Sequence, residues 1–265
     1  MPTIADAVSL LEEIAPPVLA EEWDNVGLLA GDPAAPLHRA LTCLTLSPDV
    51  VAEAAHAHAD LVVTHHPLPF RGVRSLSTEG IDGGSLWRLA RAGVAVYSPH
   101  TAYDSAAGGV NDQWAQRVGL IDVVPLVRSP IREEVCGVGR IGDLPGGRFA
   151  ALVQAVRQTV SPAAVLRVVP PPDGAARRVA IACGSGGSLL DAALAAGCDT
   201  LLTGELGFHE CLRCRSLGVG VVLTGHYASE RFAVESLAVR LAAELPGVEV
   251  SASTAERDPL SPAAM

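Results

Sequence analysis

Apolar residues at Ile4, Ala7, Val8, Leu11 and Ile14 recur every three to four positions, and Pro16-Pro17 stop the run. That spacing predicts an amphipathic helix over Ile4 to Ile14. A polar turn follows at Glu21 to Gly27, where Asx and Gly residues suit a change of direction. Runs rich in β-branched residues then predict strands at Arg39 to Leu46, Leu61 to Thr64 and Val94 to Tyr97. Helical spacing predicts helices at Pro48 to His58, Ser85 to Ala92 and Val110 to Val118, with a loop from Phe70 to Gly84 that could cover a site. This alternation implies βαβ units and a mainly parallel sheet.

The pattern breaks around Pro125 to Glu133, which places a domain boundary near residue 125. Beyond it, strands are predicted at Glu134 to Ile141, Val165 to Val169, Arg177 to Cys183, Thr200 to Thr203, Val219 to Leu223 and Val248 to Ser253. Helices are predicted at Phe149 to Val160, Leu189 to Ala196, Cys211 to Leu217 and Ser229 to Leu245. The expected organisation is an N-terminal α/β lobe over residues 1–125 and a C-terminal α/β lobe over residues 126–265, with helices flanking the sheets.

Composition narrows the field. Hydrophobic residues make up 49% of the chain but aromatics only 4%, so Ala, Val and Leu must build the cores. The formal net charge of −10 argues against a broad nucleic-acid or anionic-membrane footprint. Met1 to Ala15 lacks the basic and apolar regions of a signal peptide, and no apolar stretch approaches the roughly 20 residues that span a bilayer. A cytoplasmic protein is expected. Six cysteines do not suggest a disulfide scaffold, and the Cys211/Cys214 pair has no second pair for zinc, so it reads as structural.

The strand ends carry the chemistry. His65-His66-Pro67 follows the strand at Leu61 to Thr64, where open α/β sheets collect ligands. Neighbouring strand residues point to opposite faces, so the two imidazoles would share one ion with difficulty but could each hold one ion of a pair. Alone, the doublet reads equally well as two surface histidines in a turn. Two other stretches answer it: Ser98-Pro99-His100 leads to Asp104, and Thr224-Gly225-His226 leads to Glu230. Each is strand, turn, histidine, then a carboxylate four residues on, and a helix would put His226 and Glu230 on one face.

His65, His66, Asp104, His226 and Glu230 suit zinc, manganese, iron, cobalt or nickel better than calcium or magnesium. Five side chains are too many for one structural zinc and too few to saturate two metals, which points to metal-assisted hydrolysis at two divalent ions. His100, behind Pro99, reads as a residue supporting the ligands, and His56 and His58 as solvated helix residues. Gly184-Ser185-Gly186-Gly187 joins a strand to a helix. It reads as a phosphate contact or, equally, as a tight turn, because no Walker lysine follows. Glu205 reads as a general base, as a group orienting water, or as a helix-start residue.

These residues resemble the NIF-three-like family, also called the GTP cyclohydrolase I type 2 homologues. The resemblance runs through Trp23-Asp24-Asn25-Val26-Gly27, Thr64-His65-His66-Pro67, His100-Thr101-Ala102-Tyr103-Asp104, Gly109-Val110-Asn111-Asp112, Gly184-Ser185-Gly186-Gly187, Thr203-Gly204-Glu205 and Gly225-His226-Tyr227-Ala228-Ser229-Glu230. It implies two related α/β lobes, a dinuclear metal centre in the cleft between them, Glu230 as the bridging ligand, and a ring-shaped homohexamer. The chain resembles the family's short form, without the extra inserted domain. The leading expectation is a metal-dependent hydrolase acting on GTP, by opening its guanine ring, or on another nucleotide. The alternatives are a phosphoesterase or amidase on another small substrate, and a metal-binding interaction or regulatory module without turnover.

Overall fold

The computed structural model describes residues 1–70, 75–161 and 164–260. The chain forms two compact units. The first is Met1–Tyr103 with Arg231–Arg257, and the second is Asp104–Glu230 with the described residues after Arg257. The chain passes between the units three times, after Tyr103, Glu230 and Arg257, rather than once near residue 125, and Asp104 belongs to the second unit. The reason lies in the last strand, Glu249–Ala252, which pairs in parallel with Arg39–Cys43 and so returns the C-terminal stretch to the first unit.

In chain order the first unit holds α1 (Ile4–Ile14), β1 (Gly27–Ala30), β2 (Arg39–Cys43), α2 (Pro48–His56), β3 (Leu61–Thr64), α3 (Ile81–Arg91), β4 (Ala95–Ser98) and the start of α4 (His100–Ser105). The second unit holds α5 (Val110–Val118), β5 (Ile121–Arg128), β6 (Gly137–Asp143), α6 (Phe149–Thr159), β7 (Arg167–Val169), β8 (Arg178–Ser185), α7 (Leu190–Ala195), β9 (Thr200–Glu205), α8 (Phe208–Leu217), β10 (Gly220–Leu223) and the start of α9 (His226–Glu244). The rest of α9 and β11 (Glu249–Ala252) complete the first unit.

The first sheet runs β1-β4-β3-β2-β11, with β4, β3, β2 and β11 parallel and β1 antiparallel on the edge. Thr3 caps α1 through a reciprocal pair of bonds with Asp6, and Ser47 caps α2 ahead of Pro48. One sheet face buries Leu41, Cys43, Val62 and Val96 against Val50, Val51 and Ala54 of α2 and Leu89 of α3. Each such Leu or Val contributes about 1.5–3 kcal/mol. On the other face Thr42 Oγ1 donates to the Val234 carbonyl of α9 at 3.0 Å. The expected loop from Phe70 to Gly84 lies partly outside the described residues, at 71–74, and its end is the first turn of α3. Gly83 is needed there, because a Cβ would come within 2.6 Å of the Ser75 carbonyl oxygen.

The second sheet runs β5-β6-β8-β9-β10-β7. Only the β8–β9 and β9–β10 pairings are parallel, so the expectation of a mainly parallel sheet is corrected here to a mixed one. The stretch where the pattern broke is β5, an edge strand. Pro125 is tolerated in it because an edge position does not require its missing N–H. Ile141, Ala180, Ala182, Leu201 and Val221 pack with Leu190, Ala193 and Cys214 on one face, while α5 lies along β6 and β8. Cys214 is thus a core residue. No helix among the described residues is long and apolar enough to cross a membrane.

Candidate metal centre

In the first unit the chain beyond β3 keeps bonding to the chain beyond β2. His65 N–H donates to the Cys43 carbonyl at 2.9 Å and His66 N–H to the Leu44 carbonyl at 2.8 Å. Ser98 Oγ of β4 donates to the His65 carbonyl at 2.7 Å. The doublet is therefore fixed by backbone, yet it lies past the strand's last residue and is not bound to strict alternation. Its rings come within 5.3 Å of each other instead of pointing apart. His100 joins them, with one nitrogen from each of His65, His66 and His100 within 4.8 Å of the others. Expected as a supporting residue, His100 stands in the cluster itself, at a φ of +24° that non-glycine residues rarely adopt.

Asp24 holds His100 there. Its Oδ1 accepts from His100 Nδ1 at 2.7 Å, and its Oδ2 accepts from the Thr101 backbone N–H at 3.1 Å and from the Thr101 hydroxyl. It thus also caps α4, where a negative charge is favoured. Burial raises the Asp24 pKa, but hydrogen bonds from His100 and Thr101 and the charge of His100 outweigh it and bring it to about 2. Thr45 Oγ1 shares a 2.8 Å hydrogen bond with His66 Nδ1. Thr45 carries no sequence signal, and Asp24 stands out only as part of the Trp23 to Gly27 stretch.

In the second unit Glu230 is buried on the first turns of α9, and its Oε2 lies 3.3 Å from His226 Nε2. Glu205, the expected general base, ends β9 with its Oε1 2.9 Å from His226 Nδ1. The hydrogen bond to Glu230 raises the His226 pKa, burial opposes it, and Glu205 adds to the rise, which carries it to about 9. Asp104 closes α4. Its carbonyl accepts from Asn111 Nδ2 at 3.0 Å, and Asn111 Oδ1 accepts from the Cys183 N–H at 2.9 Å. The Ser229 hydroxyl accepts from Gly184 N–H at 2.9 Å and donates to the His226 carbonyl at 2.7 Å, while Trp114 Nε1 donates to the Ser229 carbonyl at 2.7 Å. Burial pushes the Cys183 thiol well up, and the negative charges of Asp104 and Glu230 push it further, so both carboxylates act on the end of β8.

The glycines of the Gly184 loop have a packing reason. A Cβ on Gly184, at φ +59°, would collide with Glu230 Oε1; one on Gly186 would meet Thr203 Oγ1 at 2.5 Å, and one on Gly187 would meet Glu210 Oε1 at 2.5 Å. A carboxylate against Gly187 disfavours an anion at that point. Gly184 instead cradles the carboxylate of Glu230.

The donor set fits a metal. His66, His100 and His226 each have Nδ1 within hydrogen-bond distance of a side-chain oxygen, which orients the ring as in metal-binding histidines. His and Glu groups of this kind could hold a metal ion of the transition series. Glu205→Ala is accordingly expected to lower metal affinity roughly 10–100-fold. Calorimetric titration of Mn²⁺ checks this, and circular dichroism should show an unchanged fold, since the Glu205 side chain is 53% exposed.

Comparison with known proteins assigns the family and the fold. The chain is 34% identical to the protein NIF3 homolog of Schizosaccharomyces pombe over 95% of each chain. It is 30% identical to the GTP cyclohydrolase 1 type 2 homolog of Clostridium perfringens, covering 85% of this chain and 86% of that one. Its fold matches a Bacillus cereus protein related to NIF3 with a TM-score of 0.86 at 22% identity, over 98% of each chain. It also matches a Staphylococcus aureus hypothetical protein with a TM-score of 0.85 at 25% identity, again over 98% of each. The model of the family described as Duf34/NIF3 (NGG1p interacting factor 3) matches residues 2–259, and the chain belongs to that family.

Proposed function

We propose that this protein is a metal-dependent hydrolase of nucleotides, with GTP as the first substrate to test, and that His65, His66, Asp104, His226 and Glu230 hold two divalent ions in one centre. The observation that carries the reading is the shared design of its histidines. His66, His100 and His226 each have Nδ1 anchored by Thr45, Asp24 or Glu205. Surface histidines have no reason to be so oriented three times over. Helix continuity supports a single centre: His100 and Asp104 are one turn apart on α4, about 6 Å along a helical face. The relatives named GTP cyclohydrolase 1 type 2 homolog support the choice of substrate.

Bound ions would supply Lewis-acid polarisation of the substrate. The chain's own part is positional. Asp24 and Thr45 keep the rings of His100 and His66 at fixed angles, Glu205 fixes His226, and Gly184 lets Glu230 lie close against the backbone. The side chain of Glu205 is engaged with His226, so it serves as a positioning residue in this proposal.

Metal analysis of the purified protein should give about two ions per chain, and the Mn²⁺- or Zn²⁺-loaded protein should hydrolyse GTP, with turnover lost in Asp104→Ala. Full metal loading with no turnover across a panel of nucleotides would instead indicate a metal-binding regulatory module. Absence of any stoichiometric metal would overturn the reading altogether.

A further inference from the structure

Aromatic residues are only 4% of the chain. Tyr97, Tyr103, Trp114 and Phe149 are buried. Trp23 and Phe70, by contrast, are 60% and 46% exposed, and they stand beside the histidine cluster of the first unit. The Trp23 ring centroid lies 6.0 Å from that of His100 and the Phe70 centroid 5.8 Å, at interplanar angles of 76° and 73°. The two rings lie 5.7 Å from each other, tilted by 40°.

Their placement is built into the backbone on both sides. Asp24, next to Trp23, is bound to His100 and Thr101. Asn25 donates from Nδ2 to the Pro69 carbonyl at 2.8 Å and so ties the residue before Phe70 to the segment that carries Trp23. One short stretch, Trp23-Asp24-Asn25, thus orients a cluster histidine, anchors the neighbouring loop and presents an indole ring.

The geometry selects the occupant. A third ring sandwiched between these two would need about 7 Å, twice the contact distance of carbon atoms, so the pair is a platform with an open outer face. Aromatic faces stack any flat base, and ordering a side chain with two χ angles costs little entropy. Glu21 and Glu22 directly precede Trp23 and repel the phosphate end of a nucleotide. We infer that Trp23 and Phe70 form a stacking platform for the planar heteroaromatic ring of the substrate, placing its base, not its sugar or phosphate, beside the histidine cluster. This rests on the reading of that cluster as part of a metal centre.

The test uses guanosine as probe and ribose as the ringless control, with the full-length, Mn²⁺-loaded protein. Guanosine should bind and quench tryptophan emission, while ribose should do neither. Trp23→Leu keeps apolar bulk but removes the π face, and should weaken guanosine about tenfold, with Phe70→Leu a smaller loss and Trp23→Phe recovering most of the affinity. Mn²⁺ binding, measured on the same samples, should be unchanged in all three variants. If wild-type protein binds Mn²⁺ but not guanosine, or if Trp23→Leu binds guanosine as wild type does, the platform is overturned and the metal centre stands. If guanosine binds through Trp23 and Mn²⁺ does not bind at all, the platform stands and the metal reading fails. A change in the mass of the assembly on Trp23→Leu, with guanosine affinity unaltered, would assign these rings to contact with another copy of the chain and overturn the proposal.

Discussion

Glu230→Gln is expected to lower divalent-metal affinity more than about 100-fold, exceeding what loss of a mere supporting residue costs. The substitution keeps the size of the side chain and removes its charge. Glu230 is 4% exposed, so water cannot take over the neutralisation of a bound cation there. Its Oε2 is 3.3 Å from His226 Nε2, and its Oε1 fills the space that the missing Cβ of Gly184 leaves. Such a carboxylate has two oxygens to offer and can reach two ions, which an imidazole with Nδ1 already engaged cannot do. Both ions of the proposed pair should therefore weaken together, whereas Asp104→Asn should weaken mainly one. Titration of Mn²⁺ into each metal-free variant by calorimetry separates the two patterns. A Glu230→Gln protein that still takes up two ions at wild-type affinity would end the bridging assignment. Gly184→Ala provides an independent check, because it should disturb the same carboxylate without touching its charge.

The residue types of the candidate site were legible in the chain, and the devices that hold them were not. Histidines and acids at strand ends announce themselves by type and by spacing of four residues. Asp24 is 76 positions from His100 and Asn111 is 72 from Cys183, and contacts so remote leave no local pattern. Pro99 points to a turn, so by sequence His100 reads only as a supporting residue. In the structure the Pro99 carbonyl accepts from Tyr103 N–H at 3.1 Å and starts α4, since proline costs nothing ahead of a helix. Strong periodicity gave α1, α5 and β3 their observed limits. β1 and β5 escaped because edge strands need neither continuous apolar character nor every backbone N–H. The boundary near residue 125 failed for a topological reason: where the polypeptide returns to an earlier sheet, as β11 does beside β2, composition along the chain cannot show it.

Arg140→Met should cost the second unit about 3–5 kcal/mol, the usual penalty for breaking a buried ionic group by removing one partner. Arg140 lies on β6 with only 1% of its surface exposed, a position the alternation of the strand would give to an aliphatic residue. Its guanidinium instead spends its donors on six partners. Nε and Nη2 bind the carboxylate of Asp112; Nη1 donates to the Gly137 and Gly139 carbonyls at 2.7 and 2.9 Å; Nη2 also reaches the carbonyls of Ser105, Ala106 and Val135 at 3.3, 3.0 and 3.1 Å. These carbonyls belong to the end of α4, the loop after it and the entry to β6. A thioether fills the volume but satisfies none of them. Lysine keeps the charge, yet a single ammonium cannot reproduce the planar fork, so Arg140→Lys should recover only part of the loss. Thermal and urea unfolding of the three proteins measures the order, with Met least stable. Because Ser105 follows Asp104 directly, slackening of its carbonyl should also reach the proposed ligand, and Arg140→Met should bind Mn²⁺ more weakly even where it is fully folded. A loss of stability below about 1 kcal/mol would show that solvent or neighbouring groups replace the guanidinium, and that Arg140 is not what fixes the end of α4.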